Sequence, residues 1–218
     1  MKSCGSRGNT MRTDSNIIKT LAKLTNSNYG LFSEYCDLLN KGLRKEALKH
    51  LNSFIELTNN WDYKGRTTFC NFLFSLSQTD NDLDIVLSRN LNEKLIKPTL
   101  IEMTLSEPNN YLPFKWYGEY FNNTLFLKKA YNLKPEDKSI RILLLNRLEN
   151  DLSLSTHHLP DTYLGDYLED ISNINLAFSI LSSIEDKSLV EGNLKRFTTI
   201  KNEIEDYNRT NKNTNTYR

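Results

Sequence analysis

Residues 107–148, EPNNYLPFKWYGEYFNNTLFLKKAYNLKPEDKSIRILLLNRL, decide how this chain folds. Apolar side chains recur three and four positions apart on both sides of Asn122-Asn123, and the second run closes on Lys134-Pro135-Glu136-Asp137. The stretch therefore reads as two short helices joined by a tight turn, followed by a third helix. A hairpin this short cannot bury its apolar face alone and must pack on similar neighbours. Beyond Asp137, Ile140 to Leu148 is apolar on too many sides for a surface helix and reads as the most buried segment of the chain.

The same periodicity extends in both directions, with valine, proline and glycine scarce and no sustained alternation, so the expected fold class is all-α. Toward the N-terminus, Ile17, Ile18, Leu21 and Leu24 suggest one short helix, and Leu31, Phe32, Tyr35, Leu38 and Leu39 a second that ends near Lys41-Gly42. The next helix, Leu43 to about Leu57, carries Ala47, Leu48, Leu51, Phe54 and Ile55 as a wide apolar stripe. Arg66 to Ser77 continues the pattern. Leu91 to Leu105 does too, with Pro98 implying a bend or a fresh start. Toward the C-terminus an irregular connection is expected over 150–166, then two closing helices over Leu168–Leu181 and Leu189–Tyr207. The polar run 208–218 lacks apolar anchors and reads as a disordered tail, and residues 1–14 as a disordered leader, leaving 15–207 as a single helical domain.

The pair of helices around Gly42 has the order Tyr-x-x-Leu-Leu, a glycine turn, then Glu46-Ala47-Leu48-x-x-Leu51. It resembles a tetratricopeptide unit, in which small residues let two antiparallel helices approach closely. Trp116 to Asp137 matches the same pattern at Ala130 and Pro135, although its helices are shorter and its spacing departs from the family's register. The resemblance implies an irregular stack of antiparallel helical hairpins. It carries Gly42, Ala47, Ala130 and Pro135 as structural positions and implies a protein- or peptide-binding scaffold. The strings Ser155 to Pro160, Glu107 to Asn110 and Trp116-Tyr117-Gly118 also resemble ones found in uncharacterised bacterial proteins of similar size, which implies a bacterial source and no particular activity.

Composition narrows the function classes. Lys+Arg 28 against Asp+Glu 27 gives a net charge of +1, which supplies no broad attraction for nucleic acid or anionic lipid. The three cysteines, Cys4, Cys36 and Cys70, are odd in number and form no CxxC pair, so they fit a reducing compartment, with Cys36 and Cys70 as core residues. No run of 18 apolar residues occurs and the first ten residues lack the apolar segment of a signal peptide. A cytoplasmic location is expected, with no membrane partner.

Reactive side chains gather only between Asp151 and Asp170, where His157 and His158 precede Asp161, Asp166, Glu169 and Asp170. Adjacent histidines point in different directions on a regular backbone, and neither HExxH nor a spaced histidine pair is present, so no zinc site is expected. Ser153 and Ser155 near His157 invite a hydrolase reading, but a GxSxG elbow is absent. The structural reading has the histidines bonding backbone groups while Leu159, Pro160, Tyr163 and Leu164 plug the loop onto the helices. Elsewhere, Trp61 and Tyr63 sit in an Asn-rich turn that suits a partner anchor. The aromatics around Trp116 and Tyr117 suit either a core or a peptide groove; without interleaved arginine, nucleic acid is not expected.

These residues lead to an expected non-enzymatic, cytoplasmic bacterial protein that binds a protein or peptide, of adaptor or immunity type. No catalytic, cofactor or metal residue is assigned. The partner-binding candidates are Trp61, Tyr63, Trp116, Tyr117, His157, His158 and Tyr163. The alternatives are a hydrolytic or metal-dependent enzyme centred on His157 and His158, and a structural homo-oligomer whose apolar patch is satisfied by self-association.

Overall fold

The computed structural model describes residues 16–22, 29–76 and 81–215, and among them every regular element is helical. The chain divides into two compact units between Pro108 and Asn109, where the sequence reading drew one domain. The turn Glu107 to Asn110, Glu-Pro-Asn-Asn, supplies the break, because proline disfavours helix in the residue before it. The leader expected over residues 1–14 lies outside the described residues.

The first unit holds α1 Asn16–Leu21, α2 Gly30–Asn40, α3 Arg44–Thr58, α4 Tyr63–Leu76, a 3-10 turn Asn81–Ile85, α5 Arg89–Leu91 and α6 Lys97–Ser106. Helices α2 and α3 form a hairpin closed by a Schellman turn. Gly42 takes φ 76°, its N–H donates to Leu39 O at 2.9 Å, and Leu43 N–H donates to Leu38 O at 2.9 Å. Only a residue without Cβ adopts that backbone cheaply, which is why glycine ends the helix here. Ala47 is fully buried in α3.

Pro98 does not split its segment. A π-helical turn, Asn92–Ile96, joins α5 to α6 in one continuous run, and Lys97 N–H reaches back to Asn92 O. The wider turn accommodates the missing proline N–H, and Thr99 Oγ1 donates to Leu95 O at 2.7 Å within the same stretch. Phe32, Phe54, Phe69, Leu73 and Phe74 are fully buried and make up the core with Cys36 and Cys70. Each such side chain contributes about 2 kcal/mol by leaving water.

The second unit holds α7 Tyr111–Tyr120, α8 Thr124–Leu133, α9 Lys138–Thr156, α10 Tyr167–Ser182 and α11 Lys187–Asn215. Asn122 and Asn123 make the α7–α8 turn with divided labour. Asn122 takes the left-handed backbone, φ 53°, so that Asn123 N–H can donate to Gly118 O at 3.0 Å. Asn123 Oδ1 then caps α8 by accepting from Phe126 N–H at 3.1 Å. The hairpin closes tightly because Gly118 faces Leu127: a Cβ there would stand 2.6 Å from Leu127 Cγ and 2.9 Å from its backbone nitrogen.

Leu144, Leu145, Leu148 and Leu152 of α9 pack with Ile174, Ala177 and Ile180 of α10 and Phe197 and Ile204 of α11, so α9 is the central helix that its composition predicts. It runs on to Thr156, further than expected; the irregular connection is shortened to residues 157–166. Leu152 and Thr156 explain the extension, since both are buried on the same stripe. Helix α11 also continues, through Asn215, where a disordered tail was expected from 208. Thr210 Oγ1 bonds Asp206 O at 2.9 Å and Arg209 pairs with Asp206 at 2.6 Å along that extension. No described helix is long and apolar enough to cross a membrane.

Candidate functional site

The end of the second unit, where α9 stops and α10 starts, brings together the histidines and acidic residues of 151–170. Leu164 N–H donates to Ser155 O at 3.0 Å and folds the 157–166 loop back onto α9. Gly165 follows because its Cα lies against Ser155 and the Asp170 carboxylate, leaving no room for a Cβ. Tyr163 locks the arrangement: its hydroxyl donates to Asp170 Oδ2 at 2.5 Å, and its ring meets that of Tyr207 in α11 at 5.8 Å. Burial first, and then that hydrogen bond, raise the Tyr163 phenol above its ordinary range.

Two clefts share this end of α9, one lined by Ser155 and the other by Thr156. The first, about 440 Å³, lies between the start of α8, α9 and the first two turns of α10. Asp166, Glu169, Asp170 and Asn173 line it at helical spacing, opposite Asp151. Most of these groups already have structural duties. Asp166 caps α10 through Glu169 N–H at 2.8 Å, Asp151 pairs with Arg147 at 3.3 Å and accepts from Thr124, and Lys128 is held by Asn173 Oδ1 at 2.6 Å. Leu125 lines the mouth and is 69 % exposed; Leu164 and Leu168, 56 % and 77 % exposed, flank the lining residues Gly165, Asp166 and Glu169.

The second cleft, about 530 Å³, runs between the loop and α11. Glu203, Asp206, Tyr207 and Thr210 form one helical stripe, facing Leu159, Pro160 and Asp161 from the loop. Among the described residues, no cluster of three or more histidine, cysteine or carboxylate side chains is arranged to hold a metal ion.

The seven residues singled out by the sequence are not brought together. Trp61 and Tyr63 belong to the first unit, where Trp61 is half-buried: its ring meets Phe54 at 5.6 Å edge-on, Tyr29 at 5.9 Å and Phe69 at 6.0 Å. It closes the hairpin end, and its free edge lines a cleft of about 640 Å³ with Asp62, Lys64 and Thr68. Tyr63 is half-buried and donates to Glu107 Oε1 at 3.2 Å. Trp116 is only 4 % exposed, so it is a core residue and not a partner anchor. Tyr117 stacks on Phe126 at 4.2 Å, filling the aromatic groove from within.

His157 and His158 are exposed, with ring centroids 3.8 Å apart. His157 Nδ1 lies 2.7 Å from Leu154 O and donates to it, because a carbonyl only accepts. Neither ring lines the clefts described above. Ser155 Oγ donates to the backbone oxygen of Asp151 at 3.2 Å and not toward an imidazole. Sequence reasoning located the acidic loop but passed over Leu125, whose exposure depends on which face of α8 packs on α9. It also passed over the stripe 203, 206, 207, 210, whose i, i+3, i+4, i+7 spacing is visible in the sequence.

No family model matches the chain, and no curated protein and no solved structure matches it.

Proposed function

We propose that the chain is a non-enzymatic, protein- or peptide-binding helical module, a cytoplasmic bacterial adaptor, and that its partner docks at the cleft of the second unit whose mouth Leu125 lines. The observation that carries this reading is Leu125, 69 % exposed at the mouth of a cleft of about 440 Å³ between the start of α8, α9 and α10. Scattered exposed leucines are ordinary, but one at the mouth of a cleft offers apolar surface whose burial stabilises association. The enzymatic alternative has less support: the His157 imidazole is spent on the carbonyl of its own helix end, and its neighbouring serine on a backbone oxygen.

A photo-crosslinking residue placed at Leu125 or Glu169 in cells, both lining the cleft, with the same residue at Leu194 as a control, tests the reading. Leu194 is exposed on α11 nine residues before Glu203, half a helical rotation away from the stripe that faces the loop. A partner captured from 125 and 169 but not from 194 is then purified, and Leu125→Lys should weaken its binding by about tenfold. Equal capture from all three positions refutes the reading. Capture of the chain by itself, with a dimer in light scattering, moves the cleft to self-association.

A further inference from the structure

The two clefts differ in what they leave unsatisfied, and that difference gives the partner a charge. In the second unit the carboxylates of Asp161, Glu169 and Glu203 make no ion pair or hydrogen bond with any described residue. Glu169 stands at the cleft that Leu125 lines, and Asp161 and Glu203 at the neighbouring one. A fourth, Asp206, has Arg209 at 2.6 Å as its one side-chain partner among the described residues, a pair in which both side chains are 70 % exposed. Such a pair holds weakly in water and exchanges readily for a better-placed cation. Between the carboxylates the wall is apolar: Tyr207, Leu159 and Pro160.

A carboxylate mouth over an aromatic and aliphatic wall matches one kind of side chain. Lysine and arginine carry a long apolar stem below a cationic head, so the stem can lie on Tyr207, Leu159 and Pro160 while the head meets Asp161 and Glu203. An acidic partner would instead bring like charges together at the clefts, at a cost that grows as water is excluded. Resting on the protein-binding reading, we infer that the docked segment is cationic and amphipathic. An apolar side chain covers Leu125, and a lysine or arginine enters the cleft between the 157–166 loop and α11.

The full chain is titrated into a fluorescein-labelled helical peptide of leucine and lysine, and into counterparts with every lysine replaced by glutamine or by glutamate. Polarisation is read at low and at physiological salt. The lysine peptide should bind at least about tenfold tighter than the glutamine peptide, and the glutamate peptide weakest of all. Asp161→Asn with Glu203→Gln should weaken the lysine peptide by about tenfold and flatten its salt dependence, leaving the glutamine peptide unchanged. Neither carboxylate supports the fold, so the double variant should melt as the parent does. Equal binding of the lysine and glutamine peptides overturns the cationic inference while leaving apolar docking in place. So does an undiminished affinity in the double variant. No binding of the lysine peptide overturns it outright, whatever the crosslinking at Leu125 returns.

Discussion

Replacing Tyr163 with phenylalanine removes one oxygen from the second unit and tests how its end is held together. That oxygen donates at 2.5 Å to Asp170 Oδ2, and Asp170 is 5 % exposed at the first turn of α10. The variant keeps the ring and its packing on Tyr207, so the loss is confined to the hydrogen bond. A buried acceptor that loses a charge-assisted bond costs about 1.5–3 kcal/mol, toward the lower end where water can enter, as it can from the adjoining cleft. Urea unfolding of Tyr163→Phe should show that loss as a lower midpoint at an unchanged slope. A cycle with Asp170→Ala should return a coupling of about 1–2 kcal/mol. The alkaline limb gives a second reading. Because the folded protein holds the Tyr163 proton above the ordinary value of 10.0, its contribution is fully present below 10.0 and is lost as pH rises through the raised folded value. The phenylalanine variant should therefore lose part of the wild-type decline above pH 10. A stability within about 0.3 kcal/mol of wild type, or a coupling near zero, refutes the claim that this pair holds the loop between α9 and α11.

Gly118→Ala should destabilise the second unit by about 1–3 kcal/mol in the same denaturation assay, because the new methyl meets the backbone of α8, which cannot step aside alone. Trp61→Ala should lower stability by about 2–3 kcal/mol through its lost contacts with Phe54, Tyr29 and Phe69, while leaving partner capture at Leu125 intact. Loss of capture in a folded Trp61 variant would return the docking face to the first unit. Cys36 and Cys70 should stay unmodified by a thiol reagent at neutral pH until urea unfolds the chain, because burial pushes both thiols up, Cys70 to about 12. Native-state labelling of either would show that the core of the first unit opens.

The helical class, the α2–α3 turn and the α7–α8 turn were legible in the sequence because each is a local matter. Apolar spacing sets the helix face, Gly42 supplies the left-handed residue, and the Asn122-Asn123 pair supplies a left-handed residue and a cap. Cys36, Cys70 and the α9 leucines were legible as core by the same spacing. Other features depend on residues distant in sequence. Trp116 stands in an aromatic-rich stretch that reads equally as groove or core, and the structure leaves it 4 % exposed. The continuous α5–α6 run depends on a π turn, an alternative that proline permits but does not demand. Local pattern also placed the end of α9 too early, since Leu152 and Thr156 earn helical conformation from the faces they bury.

The sequence by itself determined that this protein is helical, where its tightest turns fall and which residues are reactive, because those properties follow from backbone geometry and side-chain chemistry within a few positions. Only the tertiary structure decided which of those residues remain available. Tyr163, read as a binding residue, is committed to Asp170, and His157 to the end of its own helix. Leu125, Asp161 and Glu203 are left facing clefts. Availability is what packing leaves over, and packing is settled by contacts between segments that no local pattern records.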